Sequence, residues 1–144
     1  MDQLDNLARR FRDAIEATPR SQLPITMQSF PHGACGDATL LLGHFLKLQG
    51  LGTFDYVLGE KGDHTHAWIK HGDIIIDITA DQFTEIDQAV IVAANSVWHE
   101  QFTSSVLHEA DFMIYDNYTQ ATLGAAYHSV IRQLEDILPP VLED

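Results

Sequence analysis

The sequence has few of the residues on which several protein classes depend. Cys35 is the single cysteine among 144 residues, which excludes an internal disulfide framework and any zinc site built from several cysteines. Lysine and arginine number 8 against 21 acidic residues, giving a net charge of −13. Because this charge would repel a phosphate backbone, we expect no nucleic-acid partner.

Long hydrophobic runs are also missing. No apolar stretch approaches the roughly eighteen residues that a transmembrane helix needs, and the polar, amphipathic first twenty residues lack the apolar core of a secretory signal. We therefore expect no membrane partner. The predicted localisation is cytoplasmic, or outside the cell by a route without such a signal. With 45% hydrophobic residues, the sequence predicts one domain over residues 1–144.

Apolar residues at helical spacing predict three helices. The first runs from Leu4 to Ile15, and Pro19 ends its pattern. The second follows Cys35, and Gly50 suits its C-terminal cap. The third carries an apolar face from Leu123 to Leu138 and stops at Pro139 and Pro140.

The middle of the chain is rich in β-forming residues. Residues 52–59, 64–70 and 73–79 each predict a strand, and residues 88–93 (QAVIVA) predict a short buried one. Residues 95–116 have no clear period. The order of these elements predicts an α+β fold, with N-terminal helices packed on a small antiparallel sheet and a C-terminal helix.

The two strands around His71-Gly72 bring an imidazole and a carboxylate together. If His71 and Gly72 form a two-residue turn, the pairing sets His66 directly opposite Asp77. Opposed Cβ atoms lie about 4.5–5.5 Å apart, so the carboxylate could accept a proton from one ring nitrogen and leave the other free. A turn at Gly72-Asp73 would instead pair Trp68 with Asp77, and we expect it to break this geometry.

Cys35 lies in a glycine-flanked loop at the start of the second helix. The positive end of the helix dipole and the free N–H groups there favour a thiolate, and the same N–H groups could hold a developing oxyanion. With His66 as general base and Asp77 as its orienting partner, Cys35 would complete a nucleophilic triad.

The segments GACGDATLLLGHFL and THAWIKHGDIIIDIT resemble the catalytic core of the transglutaminase-like branch of papain-like cysteine enzymes. Cys35, His66 and Asp77 match the three catalytic positions, and the likeness covers about residues 29–80. It implies acyl transfer at an amide or thioester, without a cofactor or metal. The implied partner is a protein or peptide with an amide or glutamine group. The chain departs from larger members by the short interval between Cys35 and His66.

The resemblance also suggests supporting residues. Papain-like enzymes often use an upstream glutamine as an oxyanion donor, and Gln28 is the candidate here, with a solvent-exposed loop residue as the alternative. Trp68 shares a strand face with His66. It could shield the histidine and its partner from water, or simply pack in the core.

Two other functions remain open at this stage. His64, His66, Asp77 and Cys35 could form a four-ligand zinc sphere, although no standard zinc spacing is present. An acidic α+β domain could also be a binding or immunity protein that keeps a hydrolase scaffold without turnover. Substrate identity, the balance of hydrolysis and transfer, and the oligomeric state do not follow from the sequence.

Overall fold

The computed structural model describes residues 2–137, which form four α-helices and a five-stranded antiparallel sheet. The α+β class is therefore confirmed. The helices are α1 (Asp2–Ala17), α2 (Cys35–Leu48), α3 (Val97–Glu100) and α4 (Asn117–Ile137). The strands are β1 (Asp55–Lys61), β2 (His64–His71), β3 (Ile74–Asp77), β4 (Ile91–Ala93) and β5 (Thr103–Glu109). None of the helices within residues 2–137 combines the length and apolar character needed to cross a bilayer.

The helices agree with their predicted patterns. Helix α2 begins at Cys35 and ends in the predicted glycine cap, with Gly50 at φ +80°. There the Gly50 and Leu51 N–H groups donate to the carbonyls of Lys47 and Leu46, which is the Schellman arrangement. Helix α4 begins earlier than predicted, at Asn117. The predicted stop at Pro139 and Pro140 lies outside the described residues.

The sheet order is β4-β3-β2-β1-β5, so β4 and β5 are its edges. The strand predicted within residues 88–93 is present, but its predicted length and burial are wrong. Strand β4 covers only Ile91–Ala93, and its residues are half-buried because a neighbour pairs with it on one side. Strand β5 lies in the segment without a clear period. Most of its side chains are exposed, so no buried face marks it in the sequence.

The predicted β2–β3 register is also wrong. Ile69 pairs with Ile76 and His71 with Ile74, so the turn residues are Gly72 and Asp73. Gly72 has φ +60°, which suits the first central position of a type II′ turn, where glycine is preferred. A His71-Gly72 turn of the favoured hairpin types would have forced a positive φ on His71.

The error in register does not separate His66 from Asp77. The observed and predicted pairings differ by two residues, and a shift of two keeps every side chain on its face of the sheet. The register sets Asp77 opposite Trp68 and therefore diagonal to His66. Diagonal neighbours remain within reach of long side chains, so the expectation that this turn would break the contact is wrong.

Hydrophobic residues cover both faces of the sheet. The main core lies between the helices and the inner face, where Phe11, Phe45, Ile69 and Ile76 are among the buried side chains. A smaller aromatic layer covers the outer face: Val57, Trp68, Ile75 and Phe102, with Phe83 and Trp98 packed against them. His66 and Asp77 belong to this outer face.

Buried Arg12 joins helix α1 to the segment that follows β3. Its guanidinium donates to both carboxylate oxygens of Asp81 at 2.8 and 2.9 Å, to the Ile78 carbonyl at 2.8 Å and to the Ala89 carbonyl at 3.1 Å. Bidentate charged bonds of this kind fix geometry strongly. The short helical turn Ala80–Gln82 is thereby held beside the end of β3.

Candidate active site

The centre of the site is a buried imidazole–carboxylate contact. His66 Nε2 lies 2.6 Å from Asp77 Oδ2, and both side chains are 0% exposed. An ionised carboxylate only accepts, so Nε2 carries the proton and donates it. The predicted His66–Asp77 contact is present, and it leaves Nδ1 as the ring nitrogen available for chemistry.

The Cys35 thiol lies beside the other side of this ring. Burial raises the pKa of the Cys35 thiol, but hydrogen bonding to His66 and the Ala67 backbone, together with the charge of His66, outweighs burial and lowers the pKa from its ordinary value. Because Asp77 engages Nε2, Nδ1 is the ring nitrogen left for the thiol, and the Gln82 amide lies 3.2 Å from Nδ1.

The charges of the three groups support one another. Burial lowers the pKa of His66, but the Asp77 charge, its hydrogen bond and the Cys35 contacts raise it to about 9. Burial raises the pKa of Asp77, whereas His66 and His99 together hold it well below its usual range. A lowered thiol pKa beside a raised imidazole pKa shifts the two groups toward the charged thiolate–imidazolium form.

A second buried histidine, His99, also binds Asp77, and the sequence did not predict it. Its Nε2 lies 2.7 Å from Asp77 Oδ2, the oxygen that His66 contacts. The other carboxylate oxygen, Oδ1, accepts from the Thr79 N–H at 2.9 Å. His99 comes from α3, whose four residues are too few to show a helical period.

Gln82 is the glutamine that the structure places at the histidine. Its Nε2 lies 3.2 Å from His66 Nδ1 and donates to the Thr79 carbonyl at 3.1 Å, while its Oε1 accepts from the Gly33 N–H at 3.4 Å. Gln28 is exposed, and its amide donates to the Leu23 carbonyl. The oxyanion role of Gln28 stays a prediction, and its side chain is engaged within its own loop.

Two features distinguish the first turn of α2. Ala34 occupies the N-cap position and offers no side-chain acceptor to the first N–H groups of the helix. The Tyr56 hydroxyl lies over Gly36, where an added Cβ would be only 3.2 Å from it. Burial, and next the Cys35 charge, raise the pKa of Tyr56 to about 12. The phenol therefore stays protonated at neutral pH, able to donate.

Trp68 lies where its strand face predicts. It is buried, with its ring 5.7 Å from His66 and 4.7 Å from His99, the latter edge-on. Gly59 makes room for this ring, because an added Cβ would lie 2.6 Å from it. Trp68 therefore packs against both imidazoles, which covers them and also fills the outer aromatic layer.

His66, Asp77 and His99 are also a group that could hold a metal ion, with ligand atoms within 4.8 Å of one another. However, both Nε2 atoms touch Asp77 Oδ2 directly, at 2.6 and 2.7 Å. Hydrogen bonds alone account for this arrangement, whereas zinc ligands surround an ion at about 2.0–2.2 Å. The group does not include exposed His64 or Cys35, so the predicted four-ligand zinc site stays a prediction.

No protein-family model, no curated protein sequence and no solved structure matches this chain. The chemistry of the site therefore has to be argued from its own geometry.

Proposed function

We propose that this protein is a cysteine-dependent acyl-transfer enzyme of the transglutaminase-like type that acts on an amide bond. The observation that carries the proposal is the position of His66 between Cys35 and the buried Asp77. In this proposal the papain-like core consists of α2 packed on β2, with the nucleophile at the helix start and its partners on β2 and β3.

In the first step the Cys35 thiolate attacks the carbonyl carbon of the substrate amide, and a carbon–sulfur bond forms. The oxyanion is held by the backbone N–H of Cys35 at the start of α2, where the helix dipole is favourable. The Gln82 amide, which lies at the ring nitrogen facing the sulfur, is the proposed second donor in place of Gln28.

In the second step the proton on His66 Nδ1 passes to the departing amine, the carbon–nitrogen bond breaks and a thioester remains on Cys35. His66, now neutral, removes a proton from water as that water attacks the thioester. The products are a carboxylic acid and the restored thiol, which is deamidation or cleavage. If an amine attacks in place of water, the result is transfer.

The proposed substrate class is guided by the positions of Cys35, Tyr56 and Gln82. A carbonyl that can reach Cys35 must lie over the first turn of α2, between Tyr56 and Gln82. We propose a glutamine side chain or a peptide bond of a protein or peptide, with no cofactor. The net charge of −13 favours basic or neutral substrates over acidic ones.

A trapped thioester would test the proposal most directly. The protein would be incubated with a panel of glutamine-containing peptides and peptide amides, quenched in acid and examined by intact-mass spectrometry. We expect an acyl adduct on the wild type that hydroxylamine removes, and no adduct on Cys35→Ser. Alkylation of Cys35 by iodoacetamide provides a substrate-free measure, and we expect a rate well above that of an ordinary thiol at about pH 6.

A binding or immunity module without turnover is the alternative, and the same measurements separate the two. A wild-type Cys35 that reacts no faster than an ordinary thiol would contradict the enzyme proposal and favour the silent module. Stoichiometric zinc in the purified protein, with loss of alkylation on adding zinc, would contradict the assignment of Cys35 as nucleophile.

A further inference from the structure

Asp77 is held by two buried imidazoles, and the proposed reaction uses only one of them. His66 and His99 both reach Asp77 Oδ2 through their Nε2 atoms, at 2.6 and 2.7 Å. A buried carboxylate needs hydrogen bonds to remain ionised, but Thr79 and His66 already supply one to each oxygen. The third bond, from His99, therefore calls for a separate explanation.

The Ser96 hydroxyl contacts His99 twice. Its oxygen accepts from the backbone N–H of His99 at 3.3 Å and also lies against the ring at Nδ1. Because an ionised carboxylate only accepts, Nε2 carries the proton that reaches Asp77, and the Ser96 hydroxyl can donate its own proton to Nδ1. Nδ1 is then an acceptor, and the ring proton stays on Nε2, where it is donated to Asp77.

His99 also separates Asp77 from a cavity. A cavity of about 480 Å³ lies on the outer face of the sheet, and both Ser96 and His99 line it. Asp77 lies behind this wall and is 1% exposed. Trp68 holds the His99 ring edge-on at 4.7 Å, so the ring is fixed in the wall as well as bonded to the carboxylate.

We propose that His99 is a positioning residue of the active site. Its Nε2–H and its ring keep the Asp77 carboxylate ionised, shielded from water and oriented toward His66. The inference rests on the proposed function, because the orientation of His66 matters only if His66 serves Cys35. With Thr79 as the remaining anchor, the carboxylate could turn about its own bond. His99 supplies a second fixed point at the oxygen that His66 uses.

Two substitutions of similar size separate the hydrogen bond from the bulk of the ring. In His99→Gln the side-chain amide can place an N–H near the original Nε2, whereas in His99→Leu the donor is lost. For His99→Leu we expect Cys35 alkylation at about pH 6 to fall about fivefold and the downfield Nε2–H resonance of His66 to shift or broaden. For His99→Gln we expect a rate within about twofold of wild type, because the donor is restored.

Ser96→Ala is a milder variant that keeps the ring and removes the hydroxyl that contacts its Nδ1 atom. We expect it to lower the rate about twofold, in the same direction as His99→Leu. It therefore decides the question if His99→Leu does not fold. Circular dichroism melts of all variants show whether a change in rate follows a change in stability.

The outcomes distinguish this inference from the proposed function. If wild-type Cys35 reacts like an ordinary thiol, the proposed function fails first. If wild-type Cys35 is reactive but His99→Leu, His99→Gln and Ser96→Ala all match its rate and its His66 resonance, only the role of His99 is overturned. Equal losses in His99→Leu and His99→Gln would also overturn it, since the donor would then be irrelevant. A wild-type rate that EDTA changes and zinc restores would make His99 a metal ligand instead.

Discussion

Two aspartates among residues 2–137, Asp77 and Asp111, are bound by histidine, and their surroundings differ more than their contacts. His66 and Asp77 meet at 2.6 Å and are 0% exposed, while His44 and Asp111 meet at 2.9 Å with His44 17% exposed. Asp111 also accepts from the Lys47 amine at 3.3 Å and from the Met113 N–H at 2.9 Å. The His66–Asp77 pair is thus fully buried, whereas the similar His44–Asp111 pair is partly exposed to solvent.

Helix α2 connects the two regions. It begins at Cys35 and carries His44 nine residues later, which at about 1.5 Å per residue separates them by about 13 Å along the axis. Gly43 lets the helix approach the chain before Asp111 closely, because an added Cβ would lie 1.9 Å from the Ala110 carbonyl. The His44–Asp111 pair is explained by this packing, whereas the His66–Asp77 pair lies beside the thiol.

The largest expected effect is on the rate of Cys35 alkylation, when His66 is replaced and His44 serves as the matched control. In His66→Gln an amide N–H can still meet Asp77, but no base remains for Cys35. At about pH 6 only about 0.3% of an ordinary thiol is ionised, so we expect alkylation of Cys35 to fall roughly thirty- to hundredfold. The matched variant His44→Gln should alkylate at the wild-type rate. Equal rates in the two variants would erase the distinction between the pairs.

Replacing the Asp77 carboxylate tests the same comparison through the acceptor of the pair. Asp77→Asn leaves three buried N–H donors, from His66, His99 and Thr79, with a single weaker acceptor, so His66 loses its fixed tautomer. We expect alkylation to fall about tenfold and the free energy of unfolding to fall by about 3 kcal/mol, as for other broken buried ion pairs. An unchanged alkylation rate in a folded Asp77→Asn protein would show that the carboxylate does not orient His66.

The sequence predicts the α+β class and the contact between His66 and Asp77, but not the pairing of β2 with β3. Cys35, His66 and Asp77 are recognisable as candidates from their residue types and from the helix and strands that carry them. The register is not recognisable in the same way, because it depends on which residue takes the positive φ of the first turn position. Gly72 takes it in the structure, whereas a His71-Gly72 turn would have required it of His71. His66 and Asp77 still lie on the same face of the sheet, as predicted, because side chains along a strand alternate with a period of two.

The residues that complete the site left weaker signals. Gln82 and His99 belong to a short turn and to a four-residue helix, and neither is long enough to show a period. Arg12 lies at a polar position of an amphipathic helix, which normally faces water. Only the fold brings Asp81 to it, so its burial could not be expected from local sequence.

The pH dependence of stability should reveal the ion pair. Folding raises the pKa of His66 to about 9, so its contribution is complete below the unfolded value of about 6.5 and is lost as pH rises through 9. The lowered pKa of Cys35 acts with the opposite sign in that window, because the unfolded thiol keeps its proton to about 8.5. The two contributions therefore oppose each other in the wild type.

Cys35→Ser removes one side of this balance. We expect the free energy of unfolding of Cys35→Ser to fall as pH rises above about 6.5, by at most about 1.4 kcal/mol per pH unit, and that of the wild type to fall less steeply. Urea denaturation at several pH values between these limits measures both slopes. Cys35→Ser combined with His44→Gln should keep the slope. Parallel wild-type and Cys35→Ser curves would mean that Cys35 and His66 do not exchange charge.

The smallest effect is expected at the second pair, in Asp111→Asn. Burial raises the pKa of Asp111, but the Met113 N–H, His44 and Lys47 together lower it, so its stabilisation is present above about pH 4 and lost as pH falls through the folded value. Asp111→Asn should therefore cost about 1–2 kcal/mol near neutral pH and flatten the acid limb of the stability curve. The rate of Cys35 alkylation in Asp111→Asn should remain that of the wild type. The Asp111 carboxylate binds His44 and the Met113 N–H, and no contact joins it to the Cys35 thiol among residues 2–137.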